Sequence, residues 1–246
     1  LEKQGFGYEK GIVSIPAYRA DILHPVDLVE EIAIAYGYEN FKPEIPQVST
    51  IGEENPEEKL FRKVREILVG MSLLEARNLH LFTEADLNKK MGLSAKVVSL
   101  KNALGEFNCL RNSLLVGLLK DLSENQHNEY PQNLFEIGRV FDFNESTETG
   151  VEEKEKLAVV LCHPEMDYTQ LRQVLDALMK NLGLEVTIKE AKHPSYIPGR
   201  VGRIIVGGKK IGFIGEIHPQ VLTDWGLFMP VAGMELDLGE ILEKIK

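Results

Sequence analysis

Four carboxylates fall within eleven positions: Asp21, Asp27, Glu30 and Glu31. Asp27, Glu30 and Glu31 stand at i, i+3 and i+4, so a helix presents all three on one face. The first turns of a helix favour anions, through unpaired N–H groups and the helix dipole. Asp21 precedes them by six residues, and a strand-turn-helix would fold it back beside the others. Hard oxygen ligands in this number suit Mg²⁺, which keeps several waters and uses few protein carboxylates. The plainer reading, acids at a helix start that face water, is the commoner one for such spacing.

Other candidate chemistry is thin. The six histidines (His24, His80, His127, His163, His193 and His218) include no i, i+4 metal pair. Cys162 and His163 are adjacent in sequence, which points them to opposite faces of a strand and argues against a nucleophile pair. His193 and His218 precede prolines and read as strand-end or turn residues. "GGKKIG" lacks the spacing of a phosphate loop. "HPSYIPGR" could line a cleft, and turn chemistry explains it equally well.

The elements that must position these residues can be read along the chain. "GIVSIPAYR" (11–19) predicts a strand, and a helix starts after Pro25 and stops at Gly37. Residues 39–59 carry three prolines and little periodicity, which predicts a linker. Leu60, Val64, Ile67, Leu68 and Met71 form a helical stripe. "EARNLHLF" reads as a strand, Thr83 as an N-cap, and Gly92 as the stop that follows it. "NSLLVGLLKDLSENQ" is a helix capped by Asn112 or Ser113, its leucine stripe a core face. Strands follow at "NLFEIGRVF" and "LAVVLCH", joined by an acidic hairpin loop. A helix from Tyr168 ends at Gly183, and four further strands complete the chain, two of them joined at "VGGKKIG". Antiparallel-style strand clusters with interspersed helices predict an α+β fold.

Composition narrows the function classes. The chain has 246 residues, 43% hydrophobic and 27% charged, with a formal net charge of -10. It can bury a normal core. The acidic balance opposes a non-specific grip on nucleic acid, which needs basic patches. Two distant cysteines, Cys109 and Cys162, suit a reducing cytoplasm rather than a disulfide framework. No apolar run approaches a membrane span, and no signal peptide is visible. The first residues, from Leu1, read like mid-domain sequence, so a fragment of a longer polypeptide is expected.

Residues 13–41 resemble the B5 domain of phenylalanyl-tRNA synthetase beta subunits. The pattern is Pro16, Arg19 and Asp21, then Asp27-Leu28-Val29-Glu30-Glu31, then Tyr36-Gly37-Tyr38. "LRNSLLVGLLKDLSENQ", "LFEIGRVF" and "HPSYIPGRVGRIIVGGKKIGFIGEIHPQVLTDWGL" extend the resemblance to the catalytic-like module of that subunit. The end at "DLGEILEKIK" looks like the archaeal or eukaryotic type. The resemblance implies a partial, winged-helix-like B5 domain at 1–45, a linker at 46–55, and a module at 56–246. That module is similar to a class II aminoacyl-tRNA synthetase core, an antiparallel sheet flanked by helices. It implies a Mg²⁺ shared with the alpha subunit, with ligand positions matching Asp21, Asp27, Glu30 and Glu31. It further implies an (αβ)₂ enzyme of the cytoplasm, no membrane, and ATP and tRNA(Phe) used by the holoenzyme. The alternative is a nucleic-acid-binding winged-helix module, which the acidic charge opposes.

No residue is assigned a catalytic or cofactor-binding role. Class II sites use arginines against ATP phosphates. Here "GRVF" (138–141) is followed by Asp142, and no arginine follows Arg203; Lys244 would be a poor replacement. The resemblance implies that the helix at 56–71 is the counterpart of the helix that packs on alpha. It is therefore expected to expose apolar residues in the isolated chain and to let the fragment self-associate.

Overall fold

The computed structural model describes residues 1–44, 52–103 and 105–245. The chain divides into two compact units, residues 1–53 and 54–246. Most of the expected linker, residues 46–51, lies outside the described residues.

In the first unit, strands β1 (Gly7–Glu9) and β2 (Ile12–Ser14) pair antiparallel. Their two-residue turn is Lys10–Gly11, both at positive φ, the geometry that a tight hairpin requires. The strand expected over 11–19 is thus confined to three residues. Gly11 belongs to the turn, and Pro16 has no N–H to extend a ladder. Helix α1 (Pro25–Tyr36) opens with proline in its first turn, where no N–H is needed, and closes at Gly37.

The second unit is built on a seven-stranded sheet. Helix α2 (Pro56–Gly70) leads into β3 (Leu74–Glu75). A small three-stranded sheet follows, made of β4 (Leu81–Phe82), β5 (Val98–Ser99) and β6 (Cys109–Leu110). Helix α3 (Glu84–Leu87) lies between β4 and β5, capped by Thr83 as expected, with Gly92 at positive φ closing the turn after it. Helix α4 (Leu115–Glu124) then precedes the long hairpin β7 (Gln132–Phe143) and β8 (Val151–Cys162). Helix α5 (Tyr168–Leu182), β9 (Val186–Glu190), β10 (Tyr196–Val206) and β11 (Lys209–Ile217) come next. Helix α6 (Pro219–Asp224), β12 (Val231–Asp237) and α7 (Leu238–Ile245) finish the chain. The large sheet runs β3-β7-β8-β12-β11-β10-β9, antiparallel except for the β3–β7 pair. The expected α+β architecture, an antiparallel-dominated sheet with helices, is therefore what forms.

Strand alternation distributes the core to both faces. On β8, Leu157, Val159 and Leu161 join one cluster with Leu68 of α2, Leu175 of α5 and Ile241 of α7. Ala158, Val160 and Cys162 join the other, with Leu118 and Leu122 of α4 and Val221 of α6. This placement corrects one expectation. Leu60, Phe61, Val64 and Leu68 of α2 are buried in the unit's own core. On α2 only Val69 stands out as a large exposed apolar side chain. The stripe was legible; what covers it is α5 and the sheet, so α2 in this arrangement offers little surface for self-association.

Candidate functional site

The carboxylate cluster is organised by an arginine. Arg19 lies 5.2 Å from the ring centre of the buried Phe6. From there its Nε donates to Asp21 Oδ1 at 2.9 Å and its Nη2 to Asp21 Oδ2 at 2.7 Å. The same Nη2 reaches Glu31 Oε1, twelve positions on. A guanidinium fork matches carboxylates in this way far better than an ammonium. These hydrogen bonds raise the pKa of Arg19 and hold the Asp21 carboxyl below the usual range.

Asp27 has a local task. Its Oδ2 accepts the backbone N–H groups of His24 and Leu23, each at 2.8 Å, while His24 Nδ1 accepts from Val26 N at 3.1 Å. This reciprocal cap fixes the start of α1, and the two N–H donors hold the Asp27 carboxyl low. Glu30 is exposed and has no partner among the described residues.

The four acids thus share a neighbourhood without forming a cage. Among the described residues no group of three or more His, Cys, Asp or Glu side chains is placed to hold a metal ion. Mg²⁺ demands near-ideal octahedral oxygen ligation. With Arg19 on Asp21 and Glu31, and Asp27 Oδ2 committed to the helix start, the residues as arranged do not fit that ion.

A second site lies on the large sheet. Asp142 (β7), Lys154 and Lys156 (β8), Arg203 (β10), Lys210 and Phe213 (β11), and Glu235 and Asp237 (β12) line one cleft, with Asn112 and Ser113 from the segment before α4. Its volume is about 320 Å³. The cleft is therefore not bare of cations: four face three carboxylates. Lys244 is not among its lining residues; it lies beside the turn at Gly207.

Much of this charge is already spoken for. Lys154 Nζ is 3.8 Å from Asp142 and 3.3 Å from Glu152. Lys156 Nζ is 3.8 Å from Glu235 and donates to the Asn112 carbonyl at 3.3 Å. Glu235 Oε1 accepts Leu114 N at 2.8 Å, and its Oε2 accepts Ser113 Oγ at 3.0 Å. Ser113 Oγ in turn accepts Leu115 N. Sequence placed the cap of α4 at Asn112 or Ser113; the decisive oxygens come from Glu235, 121 residues away. A helix start accepts a carboxylate readily because its N–H groups are unpaired.

Sequence reasoning missed a buried network elsewhere in the second unit. Arg111 Nη1 donates to Glu136 Oε1 at 2.6 Å, both side chains almost wholly buried. Arg111 Nε donates to the Arg139 carbonyl. Asn78 donates through its backbone and side chain to Glu136, and through Nδ2 to Asp121 of α4 at 2.7 Å. Burial raises the Asp121 pKa. A Cβ on Gly138 would stand about 2.5 Å from Arg111 Nη2, so glycine is what lets the guanidinium in. Cys162 is fully buried, and burial pushes its thiol up to about 11, which leaves it inert.

With this geometry described, likeness to known proteins can be weighed. Residues 42–238 match the family described as the phenylalanyl tRNA synthetase beta chain CLM domain, and residues 1–38 match the tRNA synthetase B5 domain. The phenylalanine–tRNA ligase beta subunit of Thermococcus gammatolerans is 44% identical over 234 residues, covering 91% of this chain and 41% of that protein. That of Pyrococcus abyssi is 40% identical over 244 residues, covering 97% and 44%. That of Methanococcus maripaludis is 40% identical over 240 residues, covering 94% and 43%. The chain spans about two-fifths of the length of these relatives. Among solved structures, the Desulfitobacterium hafniense pyrrolysyl tRNA synthetase PylSc superposes with a TM-score of 0.62 at 17% identity, covering 76% of this chain and 68% of that one. At that identity the likeness speaks for a class II synthetase-like fold alone.

Proposed function

The chain belongs to the phenylalanyl-tRNA synthetase beta chain family, and from that premise we propose that it is a non-catalytic part of a beta subunit. In this reading it scaffolds the catalytic alpha subunit of an (αβ)₂ enzyme that attaches phenylalanine to tRNA(Phe) with ATP and Mg²⁺. The observation that carries it is the chemistry of the sheet cleft. Asp142 follows "GRVF" (138–141), where the resembled class II pattern has an arginine, and Glu235 spends both oxygens on the start of α4. Carboxylates beside a polyphosphate act against its binding. The winged-helix character of the first unit and a location in the cytoplasm belong to the same proposal. Among the described residues no helix is long and apolar enough to cross a membrane.

The shared Mg²⁺ is proposed only as an ion of the assembled complex, since within this chain Arg19 supplies the counter-charge to Asp21 and Glu31. Glu30 is the residue to test, because it is exposed and takes no part in capping. Co-purification with the alpha subunit and an aminoacylation assay decide the matter. The proposal expects the heteromer to form and acylate, and Glu30→Gln to raise the Mg²⁺ concentration needed for assembly. A heteromer that assembles identically with Glu30→Gln in chelator would remove the shared ion, while ATP–pyrophosphate exchange by this chain alone would remove the non-catalytic reading.

A further inference from the structure

The large sheet ends differently at its two edges. At one edge β3 is two residues long; at the other, β9 runs for five residues beside β10. No proline falls between Leu184 and Lys192 to block the outer side of β9. Among the described residues no strand takes up the backbone N–H and C=O groups on that side. The side chains of β9 add a mismatch. Lys189 stands directly across from Arg203 of β10, and like charges opposed in a sheet destabilise the pairing. Neither cation joins an ion pair among the described residues. Glu185, Thr187 and Lys189 are exposed, while Leu184, Val186 and Ile188 alternate with them and pack on the core.

We propose that the β9 edge docks on the β9 edge of a second copy of this chain. A two-fold axis through Thr187, perpendicular to the sheet, brings the two strands together antiparallel. Glu185 of each copy then opposes Lys189 of the other, and Val186 of each opposes Ile188 of the other. The incoming carboxylate compensates Lys189 where Arg203 repels it, and the Val–Ile pairs continue the apolar face that rests on the core. The axis has to pass through a residue, because opposed side chains must share a face. Moving it to Val186 or Ile188 opposes neither Glu185 with Lys189 nor Val186 with Ile188. The charge pattern of β9 is thus complementary to itself about one residue, which favours a second copy over a foreign strand. A two-fold contact of this kind closes on itself and stops at the dimer. One strand pair is a small interface, so the dimer is weak, with a Kd on the order of tens of micromolar.

Sedimentation velocity of the 246-residue chain over a concentration series tests this. The expected result is a reversible monomer–dimer equilibrium. Lys189→Glu sets two carboxylates against each other at both ends of the contact and should weaken the dimer about tenfold. Its thermal midpoint should not fall, because within one chain the new carboxylate faces Arg203. Glu185→Lys should weaken the dimer to a similar extent. Combining the two exchanges the charges and should return the affinity to within about threefold of the parent. A second measurement reads the register. Thr187→Cys, which meets itself at the axis, should form a disulfide-linked dimer in oxidised glutathione, whereas Lys189→Cys should not. The native Cys109 and Cys162 are buried and do not compete. A chain that stays monomeric up to about 1 mM would leave this edge to some other partner and overturn the inference. So would a dimer indifferent to both single variants, a combined variant no tighter than the single ones, or cross-linking through position 189 and not 187.

Discussion

The molecule uses an arginine to gather carboxylates in two places, and the two differ in what water can reach. In the first unit Arg19 joins Asp21 and Glu31 at the surface, and α1, which carries Glu31, has no buried residue. In the second unit Arg111 joins Glu136 in the interior, where the side chains are 2% and 0% exposed. Exposed ion pairs contribute little to stability because solvent screens them and two long side chains must be ordered. A buried pair is a different object. Its formation is nearly offset by desolvation, but removing one member strands the other. The lesson is that the buried network holds β7, the segment at Asn78 and α4 in register, whereas the pair between Arg19 and Asp21 stays open to solvent.

That contrast can be broken by substitution. Arg111→Met leaves Glu136 buried without its counter-charge and should cost about 3–5 kcal/mol in chemical denaturation; a loss near zero would mean that Glu136 finds another donor. Asp121→Asn probes the same network through pH. The folded-state pKa of Asp121 lies above its unfolded value, so ionisation opposes folding, and this penalty is relieved as pH falls through the raised pKa. Asp121→Asn should therefore be more stable than the parent at neutral pH, by less than the Arg111 effect, with the gap closing on acidification. Arg19→Gln should produce the smallest change. Asp21 has a depressed folded-state pKa, chiefly through Arg19, so its contribution is present at neutral pH and lost as pH falls through that lowered value. The variant should match the parent in strong acid and differ slightly at neutral pH, with its α1 helicity by circular dichroism retained because Asp27 still caps it.

The sequence announced what is local. Thr83 with Asp86, Gly92, and Gly183 at the end of α5 are short-range signals, and each acts where the pattern put it. The four acids were visible as a group, and Arg19 was visible as part of the motif. Their mutual pairing was not, because the bond to Glu31 spans twelve positions. Glu136 with Arg111 and Glu235 with Leu114 were hidden by 25 and 121 positions of separation. A strand residue and a helix start become neighbours only once the sheet order is known. "EARNLHLF" misled for a related reason: its ends pair in two different sheets, Leu74–Glu75 beside β7 and Leu81–Phe82 beside β6, and the middle crosses between them.

Calorimetric titration of Mg·ATP into the purified chain addresses the sheet cleft most directly. Asp142, Glu235 and Asp237 predict no saturable heat at any concentration up to the millimolar range typical of weak sites. A saturable site that is lost with Arg203→Gln would place a working nucleotide pocket on this sheet and contradict the account.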